Sequence, residues 1–426
     1  MPTPAHKRAA HPTTKHRLSR RGLFTLGGGL AVAGALGGGI AAFSGAGADA
    51  AQTTAAKKPT FAHPGMLHNA GDLHRAKVRV AAGRDPWLAG WQRLTANPHS
   101  QSTWQARPQA TVVRGAGSGQ NYRTLYNDIH AAYQNALRWR IGGTKANGDT
   151  AVAILNAWSA TLTTLTGNAD RFLAAGLYGY QFADAAELVR DHPGFRFARF
   201  KKMLHTVFHP MNTDFLTRHN GAVISNYWAN WDLCNLASVM AIGILLDDHA
   251  TFRSAVSYLE HGAGNGAIKN AVPLRYDTQG LAQWQESGRD QGHTQMGIGL
   301  MGAICEMAWN QGVDLYGYDD NRFLQAAEYV ARYNLGDDVP FTAYGWRSGT
   351  GHGQWRQQTV ISATARGEIR PVWEILHNHY ARRRRLSTPY VTAMAEKVRA
   401  EGGGGDYGPN SGGYDQLGFG TLLYSK

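Results

Sequence analysis

The chain has 426 residues, 43% of them hydrophobic and 17% charged, with a formal net charge of +13. Two cysteines, Cys234 and Cys305, are too few for a disulfide framework, and no Lys/Arg block with interleaved aromatics, apart from Arg382 to Arg385, offers a nucleic-acid surface. Diffuse positive charge of this kind suits an acidic partner, a polyanion outside the cell.

Residues 1–50 read as a secretion signal. SRRGLFTL holds the twin arginines Arg20 and Arg21, a Gly/Ala-rich apolar run extends from Leu26 to Phe43, and Ala48-Asp49-Ala50 fits a small-residue cleavage site. A Tat-type signal predicts a secreted protein with no stable membrane association after cleavage. Removing its six Lys and Arg and one acid leaves a net charge of +8. Residues 51–60, AQTTAAKKPT, read as a polar linker, and 61–426 as one domain.

From Phe61 onward apolar residues recur at three- and four-residue spacing. The helical runs are LHRAKVRVAAG, LYNDIHAAYQNALRWRI, DTAVAILNAWSATLTTL, FADAAELVRD, WDLCNLASVMAIGILLDD, MGIGLMGAICEMAWNQG and NRFLQAAEYVARYNLG. Gly, Asn, Asp and Pro punctuate them as helix hairpins require, and convincing period-two strand runs are absent. Consecutive amphipathic helices without strands predict an all-α fold, an incomplete (α/α) barrel or toroid with an inner and an outer ring. Trp231 to Leu246 and Met296 to Trp309 are uniformly apolar enough for the inner ring. The cleft should lie where loops and helix ends meet. The C-terminal stretch reads as a flexible connector, Gly402 to Gly405, followed by an apolar strap packed back on the domain.

Two polar clusters stand at the mouths of apolar segments. In QWQESGRDQGHTQMG, residues 283–297, a helix beginning near Glu286 would put Gln285, Arg289 and His293 on one face. Arg289 offers a planar fork of donors for a carboxylate, and His293 can take or hold a proton near neutral pH. In SNYWANWDLCN, residues 225–235, Asn226, Asn230, Trp228, Trp231 and Asp232 stand at the start of another helix. Indole faces stack on sugar rings while amides bond hydroxyls or carboxylates, so both clusters suit a saccharide.

The Asn/Trp-rich mouth with YWANW (227–231), ILNAWSATLTTL (154–165) and RPVWEILHNHY (370–380) resembles the alginate lyase family of polysaccharide lyases, over most of the chain from about 61 to 426. The resemblance implies an α/α barrel and β-elimination on a uronic-acid polymer, of alginate or glucuronan type. A base removes the C5 proton, a double bond forms to C4, and the glycosidic oxygen leaves. Because C5 adjoins an ionised carboxylate, the site must hold donors against it, each contributing about 3 kcal/mol. Asn226, Asn230, Arg289 and Gln291 are the supply, with Trp228, Tyr227, Trp346 and Arg347 lining the sugar. His293 is the candidate base. A tyrosine is typical of the family as acid, and PFTAYGWRSG offers Tyr344, with Tyr227 and Tyr276 as alternatives. Family members that cut mannuronate-rich alginate carry Asn-Asn-His before a YWAAW-like element, where this chain has Val223, Ile224 and Ser225. The base role then falls to His293 on a different helix, in a divergent branch.

Other features read as structural. His205 and His209 have the four-residue spacing of a metal pair without a third ligand. His377 and His379 suit buttressing of the site, with a structural cation as the alternative. Arg382 to Arg385 suit a solvated basic turn, with contact to an extended polyanion as the alternative, and Tyr178 and Tyr180 either cleft or core. The cysteines read as buried thiols, with a Cys234–Cys305 bridge as the alternative. No cofactor or metal is called for, and a monomer is expected. Two rival functions remain: an inverting glycoside hydrolase recruiting Glu286, Asp290 and Asp232, and a non-catalytic polyuronate-binding protein.

Overall fold

In the computed structural model, residues 60–115, 117, 119–347 and 355–426 are described; the signal and all but Thr60 of the linker lie outside them. From Lys58 to Lys426 the chain forms one compact unit. Its helices are α1 (Ala70–Ala81), α2 (Trp87–Ala96), α3 (Tyr122–Gly142), α4 (Lys145–Thr161), α5 (Arg171–Leu188), α6 (Phe197–Met203) and α7 (His209–Arg218). They continue with α8 (Ala229–Leu245), α9 (His249–His261), α10 (Ile268–Ala271), α11 (Gln291–Asn310), α12 (Tyr318–Leu335), α13 (Trp373–His377), α14 (Pro389–Val398) and α15 (Gly420–Tyr424). Among the described residues no helix is long and apolar enough to cross a membrane.

Burial separates two rings. Every residue of α5 from Phe172 to Leu188 is buried, as is every residue of α11 from Gln291 to Ala308 and all of α8 except Trp231. Outer helix α9 buries only Phe252, Ala255 and Leu259, one stripe of an amphipathic helix. The two runs picked from the sequence as inner helices are α8 and most of α11.

Neighbouring inner helices run the same way, since contacts between them advance together along both. Tyr126 meets Tyr178, and His130 bonds Gln181, between α3 and α5. Gly176 faces Cys234 and Gly179 faces Ser238 between α5 and α8. Gly299 faces Val372, Gly302 faces Ile375, and Glu306 pairs with Arg383 along α11 and the α13 region, which a π-helical stretch extends over Asn378–Arg383. Asn230 meets Met296 near the starts of α8 and α11. The inner N-termini therefore gather at one end of the barrel.

The structure corrects several expectations. The helical pattern DTAVAILNAWSATLTTL stops at Thr161, because its threonines are stiff at χ1 and suit extended backbone. Thr164–Gly167 (β2) pairs in parallel with Thr111–Arg114 (β1). Two separate two-stranded sheets are antiparallel: Leu274–Tyr276 (β3) with Leu281–Gln283 (β4), and Tyr344–Trp346 (β5) with Arg356–Gln358 (β6). Strands of three or four residues are too short to show a period in sequence. The α5 helix begins at Arg171, eleven residues before the FADAAELVRD pattern, across glycines that read as breakers. They serve close packing instead: a Cβ on Gly176 would stand 2.4 Å from Sγ of Cys234, and one on Gly179 2.1 Å from Oγ of Ser238.

Cys234 and Cys305 are both free, buried thiols, so the bridge is not formed. His379 stacks on Tyr316 with ring centroids 3.7 Å apart and bonds Arg383, which pairs with Glu306. This places HNHY at the far end of the barrel, away from the gathered N-termini. Tyr178 and Tyr180 are core residues whose hydroxyls donate to the carbonyls of Gly413 (3.1 Å) and Asp415 (2.8 Å) and so tie down the C-terminal strap. Phe419, Leu422 and Leu423 of that strap are fully buried.

The α5–α8 approach yields a test. Gly176→Ala must push a buried sulfur and the α8 backbone aside, and overpacking of this kind costs about 1–3 kcal/mol. Urea unfolding should show that loss; an unchanged midpoint would mean the helices lie further apart than described.

Candidate active site

The first free N–H groups of a buried helix need partners. At α8 the N-cap Trp228 supplies none from its side chain. They come from the turn after β4: Gln285 Oε1 accepts from Ala229 N at 3.1 Å, and Glu286 Oε2 accepts from Asn230 N at 3.1 Å. A carboxylate in this place also meets the positive end of the helix dipole. The same segment caps α11, where Asp290 Oδ1 accepts from His293 N at 2.7 Å. The helix starts at Gln291, not near Glu286, because residues 284–289 form a turn with Ser287 N donating to Trp284 O and Arg289 N to Glu286 O. Gln285, Arg289 and His293 therefore do not share a helix face; Arg289 and His293 meet because the turn brings them together.

Asp290 reaches His293 twice. Its Oδ2 lies 2.8 Å from Nδ1, which sets the donor on Nδ1 and leaves the lone pair on Nε2. Nε2 in turn faces Nη2 of Arg289 at 3.0 Å. The other arm of that guanidinium, Nη1, donates to Glu286 Oε1 at 2.9 Å and to Asn230 Oδ1 at 3.4 Å. Arg289 also lies 5.3 Å from the Trp228 ring, which stacks on Trp346 with centroids 3.6 Å apart. Asp290, His293, Arg289, Glu286 and Asn230 thus form one connected array across the starts of α8 and α11.

The charges respond to burial. Desolvation pulls His293 below its ordinary pKa, the Asp290 hydrogen bond opposing it and the Arg289 charge adding to it, so the ring is neutral at pH 7. Burial pushes the Asp290 carboxyl up, but His293 and Arg289 outweigh this and hold it below the usual range. Glu286 is fully buried, and desolvation pushes its carboxyl up to about 7 despite the attraction of Arg289.

Of the residues expected from sequence, Asn230, Arg289, His293 and Trp228 meet here. Asn226 is buried in the turn leading into α8, its N–H donating to Val223 O at 2.8 Å. Others are engaged elsewhere. Gln291 spends its amide on Ser287 O, Ser362 O and Asn334, and is 1% exposed, which removes it as a carboxylate donor. The Tyr344 hydroxyl makes a short bond to Gln285 O and accepts from Gly288 N, tying the β5–β6 hairpin to the turn. Tyr227, at φ 64°, takes a hydrogen bond from Asn220 at 3.0 Å within an aromatic cluster, and Tyr276 donates to Gln283. Trp346 is buried against Trp228, and Arg347 lies half-buried on Trp355.

Sequence reading missed two features. One is the Asp290–His293 pair, legible in hindsight as an N-cap followed three residues later by its partner. The other is a pocket of about 620 Å³ at the starts of α3 and α5, lined by Arg114, Tyr122, Arg123, Asp170 and the 408–413 strap. Arg114 is held there by Tyr178 and Gly412 O, with its guanidinium 4.8 Å from the Tyr122 ring. The glycine-rich run RGAGSGQNYR, with an arginine at each end, was the available signal. Among the described residues no group of three His, Cys, Asp or Glu side chains is placed to hold a metal ion.

The fold is similar to that of alginate lyase A1-III from Sphingomonas species A1, at a TM-score of 0.55 and 15% identity over 86% of this chain and 97% of that one. A tyrosine-to-phenylalanine variant of A1-III complexed with a tetrasaccharide matches at 0.55 and 16% over the same shares. A histidine-to-alanine variant, also with a tetrasaccharide, matches at 0.52 and 15% over 87% and 98%. At these identities the likeness carries the (α/α)-barrel fold alone. No curated protein sequence matches the chain. The family model for alginate lyase matches residues 89–341, more than half of the chain, and with the barrel and its polar mouth this makes the protein a member of the alginate lyase family and a polysaccharide lyase.

Proposed function

We propose that the protein is a secreted lyase that cleaves a uronic-acid polymer, of alginate or glucuronan type, by β-elimination at the shared mouth of α8 and α11. The observation that carries this reading is the Asp290–His293–Arg289–Asn230 array: an oriented neutral imidazole whose free nitrogen faces a guanidinium fork. The twin arginines of the leader support export.

Nη2 of Arg289 covers the lone pair of His293. A substrate carboxylate competes for that fork, draws the guanidinium onto itself and uncovers Nε2. Arg289, with the amides of Asn226 and Asn230, then carries the second negative charge that builds on the carboxylate as C5 loses its proton. Nε2 of His293 takes that proton. The C5–H electron pair becomes the C4–C5 double bond and the C4–O bond breaks. The departing oxygen receives the proton back from the imidazolium, which Asp290 keeps aligned, so no proton is gained or lost overall. Tyr344 has a structural part, because its hydroxyl is spent on Gln285 O.

The hydrolase reading lacks free carboxylates. Glu286 caps α8 and pairs with Arg289, Asp290 caps α11 and holds His293, and Asp232 is fully buried against His219 (2.7 Å) and Tyr258 (2.6 Å).

Absorbance of the conjugated unsaturated product is the direct assay. His293→Ala should lower kcat by about 10²–10⁴, while Tyr344→Phe keeps turnover within about tenfold. Retained turnover in His293→Ala would remove the assignment of the base, and a loss in Tyr344→Phe equal to that of His293→Ala would return the acid role to the tyrosine.

A pH profile tests the array. Above about 7 Glu286 is ionised and anchors Arg289; below it the carboxyl takes a proton and that anchor weakens. Burial holds the His293 pKa down, so its own protonation comes later on the acid side. The profile of kcat/KM should therefore fall on acidification with an apparent pKa near 7. In Glu286→Gln that limb should move to lower pH, toward the protonation of His293, whose pKa burial lowers. An unmoved limb would show that Glu286 does not govern it.

A further inference from the structure

Trp355 is 51% exposed, and no other tryptophan or phenylalanine among the described residues stands in solvent. An indole left in water forgoes about 25 cal/mol for each Å² it could bury. Its place on the β5–β6 hairpin gives that exposure a use. The pleat sends alternate residues to opposite faces. Tyr344 and Trp346 point inward, onto Gln285 and Trp228, and anchor the hairpin over the catalytic mouth. Gly345 and Arg347 take the outer face. There the Trp355 ring lies across Gly345, whose missing Cβ would meet it at 3.4 Å, and the Arg347 guanidinium sits 4.4 Å from the ring centroid. Among the described residues Nε of Arg347, itself buried, finds no hydrogen-bond partner.

The geometry points to a second sugar-binding platform on this outer face, where the open surface of the Trp355 indole stacks on a pyranose ring and Arg347 pairs with its carboxylate. A uronate unit presents both an apolar C–H face and a carboxylate, and this pair offers one group for each. A neutral sugar would use the indole alone. The platform is fixed to the mouth through the Trp346–Trp228 stack, on which Arg289 also lies, so one polymer chain can engage both. Its gain is in binding long substrate, separate from the proton transfer. The inference rests on the polyuronate reading for its ligand but not on the roles of His293 or Arg289.

The test uses native gels containing alginate or glucuronan, with His293→Ala as the background so that the polymer survives the run. Adding Trp355→Ala or Arg347→Ala should weaken the apparent affinity about fivefold or more, and Trp355→Phe should restore most of it. A neutral glucan gel should retard none of them. In the active enzyme Trp355→Ala should raise KM for polymer by a similar factor and leave kcat, and KM for a trisaccharide, within about twofold. Affinity and KM within about twofold of the parent in both alanine variants would overturn the platform. Should the wild-type protein release no unsaturated product from any polyuronate, the elimination reading falls, and the gels still decide the platform: retardation lost with Trp355 upholds it, and equal or absent retardation overturns it.

Discussion

Satisfying the backbone at the starts of parallel buried helices is the constraint from which the rest follows. The inner helices α5, α8 and α11 are buried almost throughout, α3 lies beside them, and their N-termini gather at one end. The starts of α8 and α11 leave N–H groups without intrahelical partners in a place where water is largely shut out. At α8 and α11 a single short segment supplies the acceptors. Gln285 and Glu286 reach back to α8, and Asp290 reaches forward to α11. Polar density in QWQESGRDQGHTQMG is thus first a requirement of the fold.

The chemistry grows from the same contacts. A cap must hold its side chain in one rotamer, and a group so held can orient a second one. Asp290 does both: one oxygen caps the helix and the other fixes the His293 ring. Glu286 caps α8 with one oxygen and holds Arg289 with the other. Each carboxylate joins a helix N-terminus to a residue of the proposed site, so in the proposed mechanism the geometry inherits the rigidity of the barrel. Two buried acids near one guanidinium also divide the charge unevenly. Burial raises Asp290 as well, but its bonds to His293 and the Arg289 charge hold it below the usual range, whereas burial lifts Glu286 to about 7.

Architecture was legible in the sequence because it depends on long, uniform patterns. Helices α8 and α11 were recognisable from unbroken apolar runs, and the toroid from their succession. The first half of α5 was not, because Gly176 and Gly179 break a helix on propensity alone, and only the Cys234 and Ser238 side chains opposite show why no larger residue fits. At the site, Arg289, His293 and Asn230 were visible as residue types suited to a uronate. Their contacts were not. A helix begun at Glu286 gives a plausible shared face, and the true start at Gln291 follows from which side chain caps it, a tertiary matter. The bonds that engage Gln291 and Tyr344 were hidden for the same reason, since an amide or hydroxyl reads alike in sequence whether it faces a cleft or serves a neighbouring carbonyl.

With His293 as the proposed base, the shared mouth also accounts for how that role could pass from one helix to another. Val223, Ile224 and Ser225 stand where the resemblance calls for a histidine on the approach to α8, and none of them can take a proton. Yet Asn230 on α8 and Arg289 before α11 lie within 3.4 Å, and Arg289 touches His293. A reacting group lodged between two such N-termini is within reach of side chains from both. What must be conserved is therefore the position of the lone pair relative to the guanidinium, and not the helix that carries it. Asp290 makes the transfer possible on the α11 side, because an imidazole there gains both its tautomer and its direction from a carboxylate that the helix needs in any case.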